Sequence, residues 1–209
     1  MSIITYNNET YNIKESIRSD SYYNYFRAQN TLSKEFVIIE KVNKHQLKAE
    51  LDKLPLQDID KLLAGYINAY KEEMDLLKDS INPNILKGID FKEETNQIIL
   101  IKEFANMNLK HYIKNIKKKG LTAAEIRYIF NQLNAAIKYF RERNIRHTCI
   151  CYENVFLEFA EVDEVTDDFQ VKIADFGTLS KFEIQNRFQL NIKKKNTFYG
   201  SRIIYIRHK

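Results

Sequence analysis

Polar and apolar residues along the chain switch between two periods, and the switches mark out its elements. From Tyr11 to Ala28 an extended amphipathic run (Tyr11, Ile13, Ile17) leads into the aromatic stretch Tyr22-Tyr23-Asn24-Tyr25-Phe26, which predicts two strands joined by a turn at Ser19-Asp20-Ser21. Phe36-Val37-Ile38-Ile39-Glu40-Lys41-Val42 is β-branched and apolar, the pattern of a buried strand. The period then lengthens. Ile59, Leu62, Leu63, Tyr66, Ile67, Tyr70, Met74 and Leu77 recur at helical spacing, with Asp58 placed to cap the helix.

Leu86 to Phe91 and Gln97 to Phe104 predict two further strands across the charged turn Lys92-Glu93-Glu94-Thr95-Asn96. Leu109, Tyr112, Ile113 and Ile116 mark a short helix, ended by three lysines that suit a helix C-terminus and by Gly120. Thr122-Ala123-Ala124-Glu125 is a capping box, and Ile126, Ile129, Phe130, Leu133, Ile137 and Phe140 then predict one apolar helix face up to Arg143. Val171, Ile173 and Ala174 read as a short buried strand that ends by presenting the carboxylate of Asp175, with Gly177 two residues later to free the backbone. Between Asn154 and Asp175 lies a long acidic connection, Glu158 to Asp168, expected as a surface insertion.

Composition narrows the class of protein. With 209 residues, 44% of them hydrophobic, the chain can bury a core and is long enough for one domain or two small lobes. Charged residues of both signs make up 29%, which argues against wholesale disorder. The net charge of +5 comes partly from Lys117-Lys118-Lys119 and Lys193-Lys194-Lys195, runs expected on solvated surface rather than against nucleic acid. No apolar run approaches the roughly 20 residues that span a bilayer, and no secretory signal is visible, so neither membrane nor export is expected. Two cysteines in such a chain point to a reducing, cytoplasmic setting. His147-x-Cys149-x-Cys151 lacks the second ligand pair of a structural zinc site and reads as a histidine beside ordinary thiols.

The chemistry-bearing stretch is Asn144 to Lys181. Asn144-Ile145-Arg146-His147, then Tyr152-Glu153-Asn154-Val155-Phe156-Leu157, then a strand ending in Asp175-Phe176-Gly177, resembles the catalytic core of the eukaryotic-type protein kinases. Glu73-Met74-Asp75-Leu76-Leu77-Lys78 with Asn82-Pro83-Asn84-Ile85 resembles the end of that family's αC helix and the turn after it. The resemblance runs from about Tyr11 to Tyr205 and implies an α+β fold, with a five-stranded antiparallel N-lobe and αC helix over residues 1–104. Residues 105–209 would form a partial, mainly helical C-lobe that stops near the close of the activation segment, where Gly200-Ser201 and Tyr205 stand.

Carried over residue by residue, the resemblance makes Asn154 and Asp175 ligands for Mg²⁺, Glu73 the αC glutamate, Lys102 the gatekeeper, and Lys102, Glu103 and Ala105 the hinge-like contacts of a nucleotide. The departures fall on the chemistry. The catalytic base position holds Cys149, a thiol that is mostly neutral near pH 7. The strand lysine position holds Glu40, and Ile38 stands where the family has an alanine against the adenine ring. The three glycine positions of the phosphate loop hold Arg18, Asp20 and Tyr23, whose side chains block close approach of the backbone to phosphates. Lys41 does not compensate for Glu40, because side chains alternate along a strand and Lys41 is expected on the other face. A lysine at position 102 would be buried and would need a carboxylate partner, Glu40 or Glu73.

The expectation is therefore a pseudokinase-like domain, catalytically impaired, with other proteins as its partners and no resident cofactor. The alternatives are a working serine/threonine kinase that uses ATP and Mg²⁺, or a truncated kinase fragment.

Overall fold

A computed structural model describes residues 3–19, 21–53, 58–145, 147, 150–160 and 165–174. The chain divides into two compact units, residues 1–80 with 87–105 and residues 81–86 with 106–209. The first unit ends at residue 105, and the segment 81–86, expected with residues 1–104, groups with the second unit.

The first unit is built on a six-stranded antiparallel sheet: β1 (Ile3–Tyr6), β2 (Glu9–Ser19), β3 (Tyr23–Asn30), β4 (Phe36–Asn43), β5 (Gly88–Glu93) and β6 (Gln97–Glu103), in the order β1-β2-β3-β4-β6-β5. The five expected strands are β2 to β6, and β1 adds a sixth. Its hairpin with β2 turns on Asn7 and Asn8, at φ 44° and 65°, with Tyr6 opposite Glu9. Two consecutive positive-φ residues are what a tight two-residue hairpin needs, and asparagine tolerates that conformation. One sheet face carries a core of Ile4, Tyr6, Tyr11, Ala28, Val37, Ile39, Ile99 and Ile101.

Among the described residues, two helices belong to this unit. The helix α1 (Lys44–Leu51) follows β4 directly, with the Asn43 side chain accepting from Gln46 N. Its pattern is weak because only Leu47 and Leu51 are buried, so periodicity does not reveal it. The helix α2 (Ile59–Lys78) is capped by Asp58 as expected, the carboxylate accepting from Lys61 N, and buries Tyr66, Ala69, Tyr70, Glu73, Met74 and Leu77 along one stripe. It packs on β5 at Gly88, where an added Cβ would stand 2.9 Å from Leu77 Cβ and 3.1 Å from Met74 O. Glycine there lets helix and strand backbones approach.

In the second unit, β7 (Met107–Asn108), β8 (Val155–Phe159) and β9 (Phe169–Ile173) form a small antiparallel sheet. A short helix, α3 (Leu109–His111), passes into a π-helical turn at Tyr112–Ile116, and α4 (Ala123–Glu142) opens with the expected Thr122–Glu125 capping box. Tyr112, Phe159 and Phe169 gather at centroid distances of 5.6–6.2 Å, and with Leu109, Ile129, Val155, Leu157 and Val171 they make the second core.

Candidate functional site

In the first unit the candidate site is a buried charge pair on the sheet. Lys102 Nζ lies 3.1 Å from Glu40 Oε2, and both side chains are 3% exposed. The register explains the meeting. Glu40 stands opposite Leu100 and Ile38 opposite Lys102, so the two charged residues are diagonal neighbours on one face of adjacent strands. That face is the one α2 covers, since Lys102 is also opposite Gly88, which abuts Leu77 and Met74. Glu73 is buried on the same helix stripe, at 6% exposure.

An ammonium and a carboxylate so far from water persist only as a hydrogen-bonded pair, because desolvation of either alone costs several kcal/mol. Ile38, 4% exposed, fills the position next along that face. Lys41 points the other way: its Nζ sits 5.7 Å above the Phe26 ring, and burial holds its pKa below the ordinary lysine value despite the nearby Glu94 carboxylate. The β4 pairings run without a bulge, so alternation places Lys41 where the sequence predicts.

Next along the same strands, Arg27 of β3 lies with its guanidinium 4.4 Å from the Phe36 ring and 5.3 Å from the Phe104 ring. Tyr23, which the resemblance sets at the third glycine position, packs edge-on against Tyr22 and Tyr25 at 5.1 and 5.4 Å. Glu103 turns to the chain beside it, its carboxylate accepting from Lys87 N at 2.6 Å, and Ala105 is buried.

The second unit assembles the segment around Asn154. Asn154 N donates to Cys151 O, and Ala174 N donates to Asn154 O, each at 3.1 Å. His147 Nε2 lies 3.2 Å from Ala174 O. Glu153 is pushed up by burial, but hydrogen bonds from Lys110 Nζ at 2.9 Å, its own backbone and the Cys151 thiol outweigh that and leave its carboxyl below the ordinary range. Cys149 and Asp175 lie outside the described residues, as do Asp20, the side chain of Arg18 and residues 175–209. Among the described residues no group of three or more His, Cys, Asp or Glu gathers to hold a metal ion.

One residue that sequence reasoning passed over organises this unit. Gln132 of α4 accepts at Oε1 from Val171 N (2.8 Å), Gln170 Nε2 (2.8 Å) and Asn84 Nδ2 (2.9 Å), while its own Nε2 donates to Phe169 O. Asn84, from the Pro-Asn-Ile turn, also donates to Val171 O at 2.8 Å and accepts from Ile173 N at 2.9 Å. Helix α4, the turn and β9 are thus tied together just before Asp175. A lone polar residue in a helix pattern gives no sign of such a role.

Comparison with known proteins agrees with this architecture. The family model described as protein kinase domain matches residues 11–204, so the chain belongs to the protein kinase family. NUAK family SNF1-like kinase 1 of Mus musculus is 26% identical over 192 residues, covering 91% of this chain and 24% of that protein. SNF1-like protein kinase ssp2 of Schizosaccharomyces pombe is 34% identical over 107 residues, covering 51% of this chain and 17% of that one. The chain thus spans a quarter or less of the length of these relatives. A crystal structure of Rad53 residues 1–466 in complex with AMP-PNP matches with a TM-score of 0.58 at 19% identity, over 79% of this chain and 38% of that one, and supports the shared fold.

Proposed function

We propose that this kinase-family domain is catalytically impaired and acts through contacts with other proteins. The observation that carries the reading is the Glu40–Lys102 pair. In the family's phosphoryl transfer nearly all the acceleration comes from positioning and from neutralising phosphate charge. Glu40 puts an anion at the position of the family's strand lysine, and Lys102 is held by Glu40 in a dry pair with 3% exposure on each side. A triphosphate would have to displace that pair and accept a carboxylate beside it, so the residues present do not fit the nucleotide. Cys149 at the base position, and side chains at all three glycine positions, act in the same direction. A role through contacts draws support from exposed apolar surface on α4, where Ile126 and Phe130 are 54% and 53% exposed.

The test is thermal unfolding of the purified chain with and without millimolar ATP and Mg²⁺. No shift is expected. A ligand at 100 times its Kd adds about 2.7 kcal/mol of stability, so a reproducible upward shift would sink the reading in favour of a nucleotide-binding domain. Transfer of radiolabelled γ-phosphate to a protein hydroxyl would then identify a working kinase.

A further inference from the structure

The added strand β1 does more than widen the sheet. The tip of its hairpin reaches the opposite sheet edge: the Tyr6 hydroxyl donates to Phe91 O at 2.7 Å, the Asn7 side-chain amide donates to the Asp90 carboxylate, and Lys92 Nζ lies 5.4 Å from the Tyr6 ring centroid. Strands β1 and β5 are the two ends of the strand order, so these contacts close one end of the sheet onto the other. Asp90 is a junction. Its second carboxylate oxygen pairs with Lys78 Nζ at 3.0 Å, at the last residue of α2, and accepts from Phe91 N at 2.8 Å. Two residues before Asp90, Gly88 holds the backbone of β5 against Met74 and Leu77 of the same helix end.

From these contacts we propose that the β1–β2 hairpin is a clasp that sets the mobility of β5 and the C-terminal end of α2 as one unit. Every link is in place: Asn7 and Tyr6 grip β5, Asp90 hands the contact to Lys78, and Gly88 passes it to Met74 and Leu77. The hairpin turn is closed locally by Asn7 and Asn8, and β2 pairs with β3, so release of the tip from β5 leaves β2 in the sheet and uncovers Tyr6, which is 7% exposed when held. Opening of such a unit couples a surface event at the N-terminal hairpin to the helix that carries Glu73.

Amide hydrogen exchange of the full chain tests this, with Tyr6→Phe/Asn7→Ala compared to the parent. Loss of one hydrogen bond of ordinary strength corresponds to about a fivefold change in an opening equilibrium. The clasp therefore predicts exchange at least about fivefold faster in residues 88–93 and 72–79, with β8 and β9 unchanged. Faster exchange confined to residues 3–12 would overturn it, as would uniform acceleration throughout the chain. Should that double variant fail to fold, Asp90→Asn, which keeps the side-chain volume, must by reciprocity loosen residues 3–8 as well as 72–79. Protection of residues 3–8 unchanged in that variant would equally reject the clasp.

Discussion

The ion pair at the candidate site of the first unit and the one beside Asn154 in the second differ in their surroundings. In the first, Glu40 and Lys102 are paired at 3.1 Å with 3% exposure each, out of reach of water. In the second, Lys110 and Glu153 pair at 2.9 Å with side chains 60% and 29% exposed, and Lys117 bridges the half-buried Glu125 and the exposed Asp167 at 2.8 and 3.0 Å. The distances are alike, but the consequences differ. In water an ion pair exchanges one set of favourable contacts for another and its net worth is small. Inside a sheet the pair is compulsory, because either partner left alone is an uncompensated buried charge. The Glu40–Lys102 pair is thus locked in place, whereas the Lys110–Glu153 pair beside Asn154 is one that solvent can replace.

The sharpest way to break this contrast is to remove one member of the buried pair. Lys102→Met is expected to cost about 3–5 kcal/mol in urea unfolding, while Glu40→Leu/Lys102→Met together should recover most or all of that loss. A double variant as unstable as the single one would show that packing around position 102, not charge, sets the cost.

A smaller effect is expected at the N-terminus of α4. Hydrogen bonds from Lys117, then from the Thr122 backbone and hydroxyl, hold the Glu125 carboxyl at about pKa 2, against its ordinary 4.5. A folded-state pKa below the unfolded one gives stability that is present above about pH 4.5 and is lost as pH falls toward 2. Glu125→Gln should lose about 1 kcal/mol at neutral pH, as for a lost cap interaction, and show a flatter acid limb between those pH values. An acid limb identical to the parent's would remove Glu125 as its source.

The least effect belongs to the exposed pair. Lys110→Ala is expected to change stability by no more than about 1 kcal/mol, and addition of salt should erase the difference. A loss comparable to that of Lys102→Met, resistant to salt, would mean that the segment around Asn154 is as locked as the sheet.

Much of the fold is legible in the chain because its signals are local. Asp58 and the Thr122–Glu125 box start α2 and α4 where they stand in the sequence, since a cap and the amides it serves lie within one turn. The alternation that sends Lys41 and Glu40 to opposite faces is equally local. Other features were present but quiet: Asn7-Asn8 is a two-residue hairpin signal, and with Ile4 and Tyr6 before it and Tyr11 after it β1 could have been read. Helix α1 shows too few apolar positions to register.

By itself, then, the sequence determined the order of the main elements and pointed to the family, for these rest on residues close together along the chain. Which carboxylate meets Lys102 was left open between Glu40 and Glu73, and only the tertiary structure brings Glu40 to 3.1 Å. That meeting joins residues 62 apart through the register of β4 on β6, in which a shift of one residue would turn Lys102 to the other face. The same holds for Gln132, whose partners come from a turn and a strand distant in the chain, and for the β1 hairpin, whose hold on Asp90 exists only once the sheet has curled. Spacing along a chain reports its own backbone, whereas register and curvature are settled when separate segments compete to bury their apolar faces.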